Sequence, residues 1–175
     1  MKRVLLSALG VVLVCALATA GDETGILKYG DGKAEGKQSL GGSGEMIEFT
    51  HPAGTKISGL KIHGSRYGVP QAPAESFLIY FLSPDRSKIL QTEMAAYSLF
   101  ERGPETWVTI SFPQPIELPE QFWIALDFRA NQRKGVYVSY DTSTAGKHSR
   151  AGLPGTPATE TKFGGDWMIE VTLAK

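Results

Sequence analysis

The sequence has 175 residues, and its 18 basic and 18 acidic side chains give a formal net charge of zero at neutral pH. It contains no basic tract of the kind that neutralises phosphates, which argues against nucleic acid as a partner. Glycine and proline together supply 30 residues (20 and 10) and punctuate short apolar segments throughout, a pattern typical of an all-β protein.

The first twenty residues, MKRVLLSALGVVLVCALATA, have the layout of a secretory signal peptide. Lys2 and Arg3 precede an apolar run from 4 to 17, and the small residues Ala18 and Ala20 follow it. The run is shorter than the roughly 20 residues that a membrane span needs, and no basic flank follows it. We therefore expect cleavage after Ala20 and a secreted or periplasmic protein, with residues 21–175 forming a single domain and no membrane span after cleavage.

Cys15 leaves a second processing route open, in which this residue is acylated as in a bacterial lipoprotein. Val14 precedes it where that processing requires a small side chain, so cleavage after Ala20 is the favoured prediction. The mature chain then has no cysteine, which excludes disulfides and thiol chemistry. Loss of Lys2 and Arg3 leaves 16 basic against 18 acidic side chains.

Apolar and polar residues alternate in four segments of the second half: "WVTISF", "FWIALDF", "GVYVSYD" and "DWMIEVTLAK". A period of two predicts strands with one buried face. The prolines in "PQPIELPEQ" cannot donate to a ladder, so this segment is predicted at an edge or in a connection.

The first half adds shorter alternations in "EMIEFTHP" and "KISGLKIHG", and "ESFLIYFLS" is apolar on both faces as in a central strand. A turn at "SPDRSK" predicts a hairpin with "KILQTEM". "QTEMAAYSLFER" reads as a strand and a helical turn, or as a helix. The sequence thus predicts an antiparallel β-sandwich of eight to ten strands, of jelly-roll type, with a long loop from 142 to 165.

No motif for catalysis is present. The mature sequence lacks a Gly-x-Ser-x-Gly elbow, and His51, His63 and His148 are scattered rather than at zinc-binding spacing. An enzyme acting through two carboxylates stays open as the weakest hypothesis, because such pairs are distant in sequence.

Three large aromatics, Trp107, Trp123 and Tyr137, lie opposite the aliphatic rows, among short polar groups that include Asp127 and Asp141. Flat rings stack on sugars and polar neighbours fix hydroxyls, so carbohydrate is the favoured ligand. In "KIHGSRYG", His63 ends a strand and Arg66 and Tyr67 follow in its exit loop, which makes all three candidate polar edges of a binding surface. Two alternatives stay open: a second layer buries the rings as core, or they mark a protein contact in the cell envelope.

Acidic loop residues give a candidate calcium site. Asp31 and Glu35 lie near the N-terminus and Asp166 opens the last strand, and terminal strands of a sandwich are often neighbours. The spacing matches no defined calcium loop, and solvated turn carboxylates are the alternative.

The segments "GDGKAEGKQSLGGSGEMIEF", "KIHGSRYG", "KGVYVSYD" and "GGDWMIEV" together resemble those of a group of uncharacterised exported bacterial modules. These modules look like β-sandwich domains, and the resemblance covers nearly the whole mature chain. It implies a jelly-roll fold and a non-catalytic role, and it names neither a ligand nor functional residues.

Overall fold

The computed structural model describes residues 25–174, which form two antiparallel sheets around one apolar core. This confirms the predicted β-sandwich. The predicted signal peptide, residues 1–20, and the alternative processing at Cys15 lie outside the described residues.

Thirteen strands and one short 3-10 turn follow one another in the described chain. Their bounds are β1 Ile26–Leu27, β2 Gly36–Gln38, β3 Glu45–Thr50, β4 Lys56–Gly68, β5 Ser76–Leu82, β6 Ile89–Ala96, the 3-10 turn Tyr97–Leu99, β7 Thr106–Glu117, β8 Gln121–Asp127, β9 Lys134–Asp141, β10 Ser149–Ala151, β11 Thr159–Glu160, β12 Asp166–Trp167 and β13 Ile169–Leu173. Eight of the thirteen have five residues or more, which agrees with the predicted eight to ten strands.

Strands β2 to β9 form nested antiparallel pairs: β5 with β6, β4 with β7, β3 with β8 and β2 with β9. A long hairpin rolled up in this way gives the orders β2-β9-β4-β7 in one sheet and β3-β8-β5-β6 in the other. This is the jelly-roll arrangement. We call the first sheet, with β1, β12 and β13 added, sheet A, and the second, with β10 and β11 added, sheet B.

The core between the sheets is built from the inward rows that the alternation predicts. Its members include Leu60, Ile62, Val108, Ile110, Val136 and Val138 of sheet A, and Phe49, Phe81, Phe122, Ile124 and Leu126 of sheet B. Burial of each large apolar side chain contributes roughly 1.5–3 kcal/mol, so these rows hold the two sheets together.

Two ambiguous segments are resolved. The segment from 89 to 99 is a strand followed by a 3-10 turn, so the helix alternative is wrong. "PQPIELPEQ" begins inside β7, which pairs only with β4 and carries Pro113 and Pro115, as predicted for an edge.

Two boundaries differ from the prediction. Strand β4 does not end near His63 but continues to Gly68, because β9 pairs with its second half. A Cβ on Gly64 would lie 2.5 Å from the Tyr137 carbonyl oxygen, so glycine allows the close approach of β9. The predicted loop 142–165 contains the short strands β10 and β11, which extend sheet B beside β3.

Residues 25–174 include no helix long and apolar enough to cross a membrane.

Candidate functional site

The outer face of sheet A carries an exposed tryptophan beside a histidine. Trp107 in β7 lies directly across from His63 in β4, and the two rings meet edge to face with their centroids 5.1 Å apart. The indole is 40% exposed, since β7 is an edge strand and no neighbouring strand covers it on its free side. An exposed aromatic ring that a neighbouring ring holds in place can stack against a ligand.

A hydrogen bond to the neighbouring strand β9 holds His63 in place. Its Nδ1 shares a hydrogen bond of 2.8 Å with Ser139 Oγ in β9, which fixes the ring orientation. Partial burial lowers the pKa of His63, against the smaller opposite effect of the nearby Glu105 charge. The imidazole is therefore neutral at pH 7, with one donor and one acceptor nitrogen.

Glu105 joins the face immediately before β7. Its Oε1 accepts hydrogen bonds from Lys37 Nζ and from Ser65 Oγ, the latter at 2.8 Å. Burial raises the pKa of Glu105, but these hydrogen bonds outweigh that effect and the pKa lies below its ordinary value. The carboxylate is thus a fixed, charged acceptor.

Two tyrosines continue the face beyond Ser65. Tyr137 in β9 lies directly across from Ser65, and its ring is 4.6 Å from that of Tyr67. Lys37 Nζ lies 5.3 Å from the Tyr137 centroid, and Ser39 Oγ is 3.2 Å from Tyr67 OH. We call this surface the A face and define it by Trp107, His63, Ser65, Glu105, Lys37, Tyr67 and Tyr137.

The His63–Ser139 pair has the spacing of a base and a nucleophile, but Ser139 is 1% exposed and cannot meet a substrate. Glu105, the carboxylate of the A face, is already held by Lys37 and Ser65. The geometry of the A face therefore suits recognition better than hydrolysis.

Trp123 lies elsewhere. It is 6% exposed, and it sits on the outer side of sheet B in a small apolar cluster with Met46, Leu82 and Ala125. Its Nε1 donates to the Pro84 carbonyl oxygen at 3.1 Å, and Arg86 Cζ lies 5.0 Å from the ring centroid. The prediction that Trp123 shares an exposed surface with Trp107 is wrong, because the β5–β6 turn covers its ring.

Two of the predicted polar partners brace the chain away from the A face. Arg66 donates to the carbonyl oxygens of Val69 (2.9 Å) and Pro70 (2.6 Å) in the loop after β4. Asp127 ends β8 in sheet B, where Oδ1 accepts the Arg129 N–H at 2.9 Å. The structure therefore does not bring either residue together with Trp107.

Asp141 is a structural carboxylate. It shares the outward side of β9 with Tyr137, yet it is 1% exposed. Its Oδ1 accepts the Ser143 N–H (2.9 Å) and hydroxyl (2.6 Å), and its Oδ2 accepts the Gly32 N–H at 2.9 Å. Burial raises the pKa of Asp141, but these hydrogen bonds lower it further, to below its ordinary value. Asp141 thus ties the loop before β2 to the end of β9.

The predicted calcium ligands are only partly brought together. Asp31 and Glu35 each place a carboxylate oxygen within 4.8 Å of the other and of Asp141. Asp166 in β12 lies directly across from Asp141 but is not part of this group, and its buried oxygens accept the Thr144 hydroxyl (2.6 Å) and the His148 N–H (2.8 Å). Loop hydrogen bonds already use the oxygens of this cluster, and calcium binding there stays a prediction.

Three members of the A face were missed by sequence reasoning. Glu105 lies two residues before Trp107, so extending the alternation by one step predicts that both side chains lie on the same side of the sheet. Ser65 follows His63 in the same row and was missed because the strand was expected to end. Lys37 comes from a glycine-rich segment without alternation, and no local signal places it.

A scan of known protein families finds no match for this chain, and a search of curated proteins finds no relative of significant similarity.

Proposed function

We propose that this protein is a non-catalytic, exported binding module that takes carbohydrate on the A face. Export rests on the signal-like pattern of residues 1–20. The ligand class rests on the geometry around Trp107.

The observation that carries the proposal is the partly exposed ring of Trp107 beside fixed polar groups. The ring meets His63 edge to face, and the row continues past the buried Ser65 to the Lys37–Glu105 ion pair and the ring of Tyr137. A sugar ring offers apolar C–H faces to an aromatic ring and hydroxyls to charged and neutral acceptors. An exposed indole flanked by ordered donors and acceptors matches both requirements.

A panel of soluble glycans and insoluble polysaccharides tests the proposal. Trp107→Ala should weaken binding by roughly tenfold, about 1.4 kcal/mol, because the stacking platform is lost. Tyr137→Ala should weaken it as well. Thr50→Ala is the control, because Thr50 is exposed in β3 of sheet B, away from the A face and from the apolar residues of β6.

Retained melting temperatures of the variants confirm that folding is intact. Absence of binding by the wild type across the panel, or equal binding by Trp107→Ala and the control, would contradict the proposal.

The alternative function is a structural or protein-interaction domain of the cell envelope. The observation that favours it is the set of exposed large apolar residues in β6 and the 3-10 turn that follows it: Ile89, Leu90, Met94 and Leu99. Exposed apolar residues close together mark protein contacts. Binding of an envelope protein that is lost with Met94→Ala but kept with Trp107→Ala would favour this function over carbohydrate.

The carboxylate-dependent hydrolase is the weakest alternative. Glycoside hydrolysis needs two carboxyl groups at about 5–5.5 Å or about 6.5–9.5 Å across the scissile bond. The A face has one carboxylate, Glu105, where two are needed. The carboxylates of the Asp31–Glu35–Asp141 cluster already accept hydrogen bonds from loop backbone.

A further inference from the structure

Strand β6 is a long strand at one edge of sheet B. Sheet A ends at β7, which carries Pro113 and Pro115, and at strands of two or three residues. Sheet B ends at the two-residue β11 and at β6, which has eight residues, no proline and one charged side chain, Glu93. Edge strands expose unpaired N–H and C=O groups, and natural proteins blunt long edges with prolines and lysines. Within residues 25–174, β6 is the long edge that lacks both; its pairing with β5 is irregular at Leu90 and regular from Gln91 to Ala96.

The same strand exposes apolar side chains. Ile89, Leu90 and Met94 are 52%, 41% and 70% exposed, whereas Ala95 of β6 is buried in the core. A long edge with free backbone groups and exposed apolar side chains is a template for an added strand.

The sequence of β6 is self-complementary about Thr92. In a two-fold antiparallel pair centred there, Thr92 faces Thr92 and Gln91 faces Glu93 of the second copy, and Leu90, at the irregularity of the strand, lies near Met94. Threonine pairs and apolar pairs are favourable across strands. Gln91 Nε2 and Glu93 Oε1 already bond at 2.8 Å within the strand, so their partners in the second copy complete a polar network beside the axis.

The registers centred on the next two residues are worse. A two-fold centre at Glu93 places two like charges directly opposite each other, which is destabilising. A centre at Met94 pairs only 92–96 and leaves Ile89 and Leu90 uncovered. The small net charge of the mature chain, 16 basic against 18 acidic side chains, adds little repulsion between copies.

We propose that β6 pairs antiparallel with β6 of a second copy of this chain, about a two-fold axis at Thr92, so that sheet B runs continuously through a homodimer. The interface is isologous, as in most dimers. It uses the edge of sheet B, so the A faces of both copies stay free for a ligand.

Charge substitutions at Thr92 test both the interface and its register. Thr92→Lys and Thr92→Glu each place two like charges at the axis, and Thr92 is exposed in the single chain, so folding should be unaffected. Sedimentation velocity on the full chain should show a dimer for the wild type and association weakened roughly tenfold or more in each variant. A mixture of the two variants should dimerise again, because the introduced lysine and glutamate face each other.

Thr50→Lys, exposed in β3 of the same sheet but away from its edge, should leave the dimer intact. A monomeric wild type overturns the proposal. That is also the result expected if β6 binds a different partner protein. A dimer that survives Thr92→Lys overturns it as well, because the interface then lies elsewhere. Failure of the mixture to dimerise overturns the Thr92 register.

Discussion

At the scale of single residues, Glu45 is a carboxyl group buried away from water. It opens β3 inside the sandwich and is 1% exposed. Its Oε1 accepts the Leu40 N–H at 3.2 Å, while Oε2 finds no partner among the described residues. Burial raises the pKa of Glu45 to about 8, against the lowering effect of backbone hydrogen bonds. In the folded protein at pH 7 this carboxyl is protonated.

Replacing Glu45 with glutamine should stabilise the fold increasingly as pH rises. Between pH 4.5, the ordinary pKa, and about 8, the folded protein keeps a proton that the unfolded chain releases. The contribution of Glu45 to the free energy of unfolding therefore falls with rising pH, by at most about 1.4 kcal/mol per pH unit. Urea unfolding at about pH 5 and about pH 8 should show Glu45→Gln gaining on the wild type over this window.

The exposed Glu120→Gln serves as the control for this pH series. A gap between Glu45→Gln and the wild type that stays constant over the series would mean that the folded-state pKa of Glu45 is not raised.

At the scale of elements, the segment between β1 and β2 is docked onto the end of β9 through Asp141. Gly30 and Gly32 both adopt left-handed backbone, with φ of 82° and 83°. A Cβ at Gly30 would lie 2.1 Å from Asp141 Oδ2, whereas one at Gly32 meets nothing within 4 Å. The two glycines thus share a left-handed backbone conformation but differ in their surroundings.

Alanine at these two positions separates backbone strain from loss of the Asp141 contacts. Gly32→Ala should cost about 1–2 kcal/mol, the cost of left-handed backbone for an L-residue. Gly30→Ala adds displacement of the Asp141 carboxylate from its hydrogen bonds, a further loss of roughly 2 kcal/mol. Denaturant unfolding measures both, and equal losses would show that Asp141 does not organise this junction.

Alternation along the elements predicts which way a side chain points but not what covers it. Trp107 and Trp123 carry the same local signal, each opposite an aliphatic row. Trp107 lies on the edge strand β7. Trp123 lies in β8 between β3 and β5, under the β5–β6 turn; the sequence predicts that turn but not that it covers the ring. The sheet faces could therefore be predicted, whereas the neighbours of Asp141 and Lys37, about a hundred residues away along the chain, could not.

At the scale of the whole molecule, the sandwich presents two different outer sides. Sheet A turns the polar and aromatic A face outward, while the outer side of sheet B carries the apolar cluster around Trp123 and ends at the bare edge of β6. Ligand binding and dimerisation would then use separate surfaces, and loss of one should leave the other measurable.

The nested pairing of β2 to β9 also predicts an order of folding. The β5–β6 hairpin closes a short turn in which Asp85 accepts hydrogen bonds from Ser83 and Ser87, and each further pair closes a longer loop, up to Gly36 with Tyr140. Closure of longer loops costs more entropy, so the hairpin should form first and β2–β9 last.

Stopped-flow kinetics tests this order. Asp85→Ala should slow folding with little change in unfolding, and Gly36→Ala should mainly speed unfolding. The reverse assignment would mean that the chain closes from its ends inward.

If the hairpin leads, β6 exists as an ordered strand before the rest of the sandwich encloses its neighbours. The bare edge is then presented to other chains at the stage when most apolar surface is still uncovered. Concentration during refolding, more than temperature, should decide the yield of folded protein.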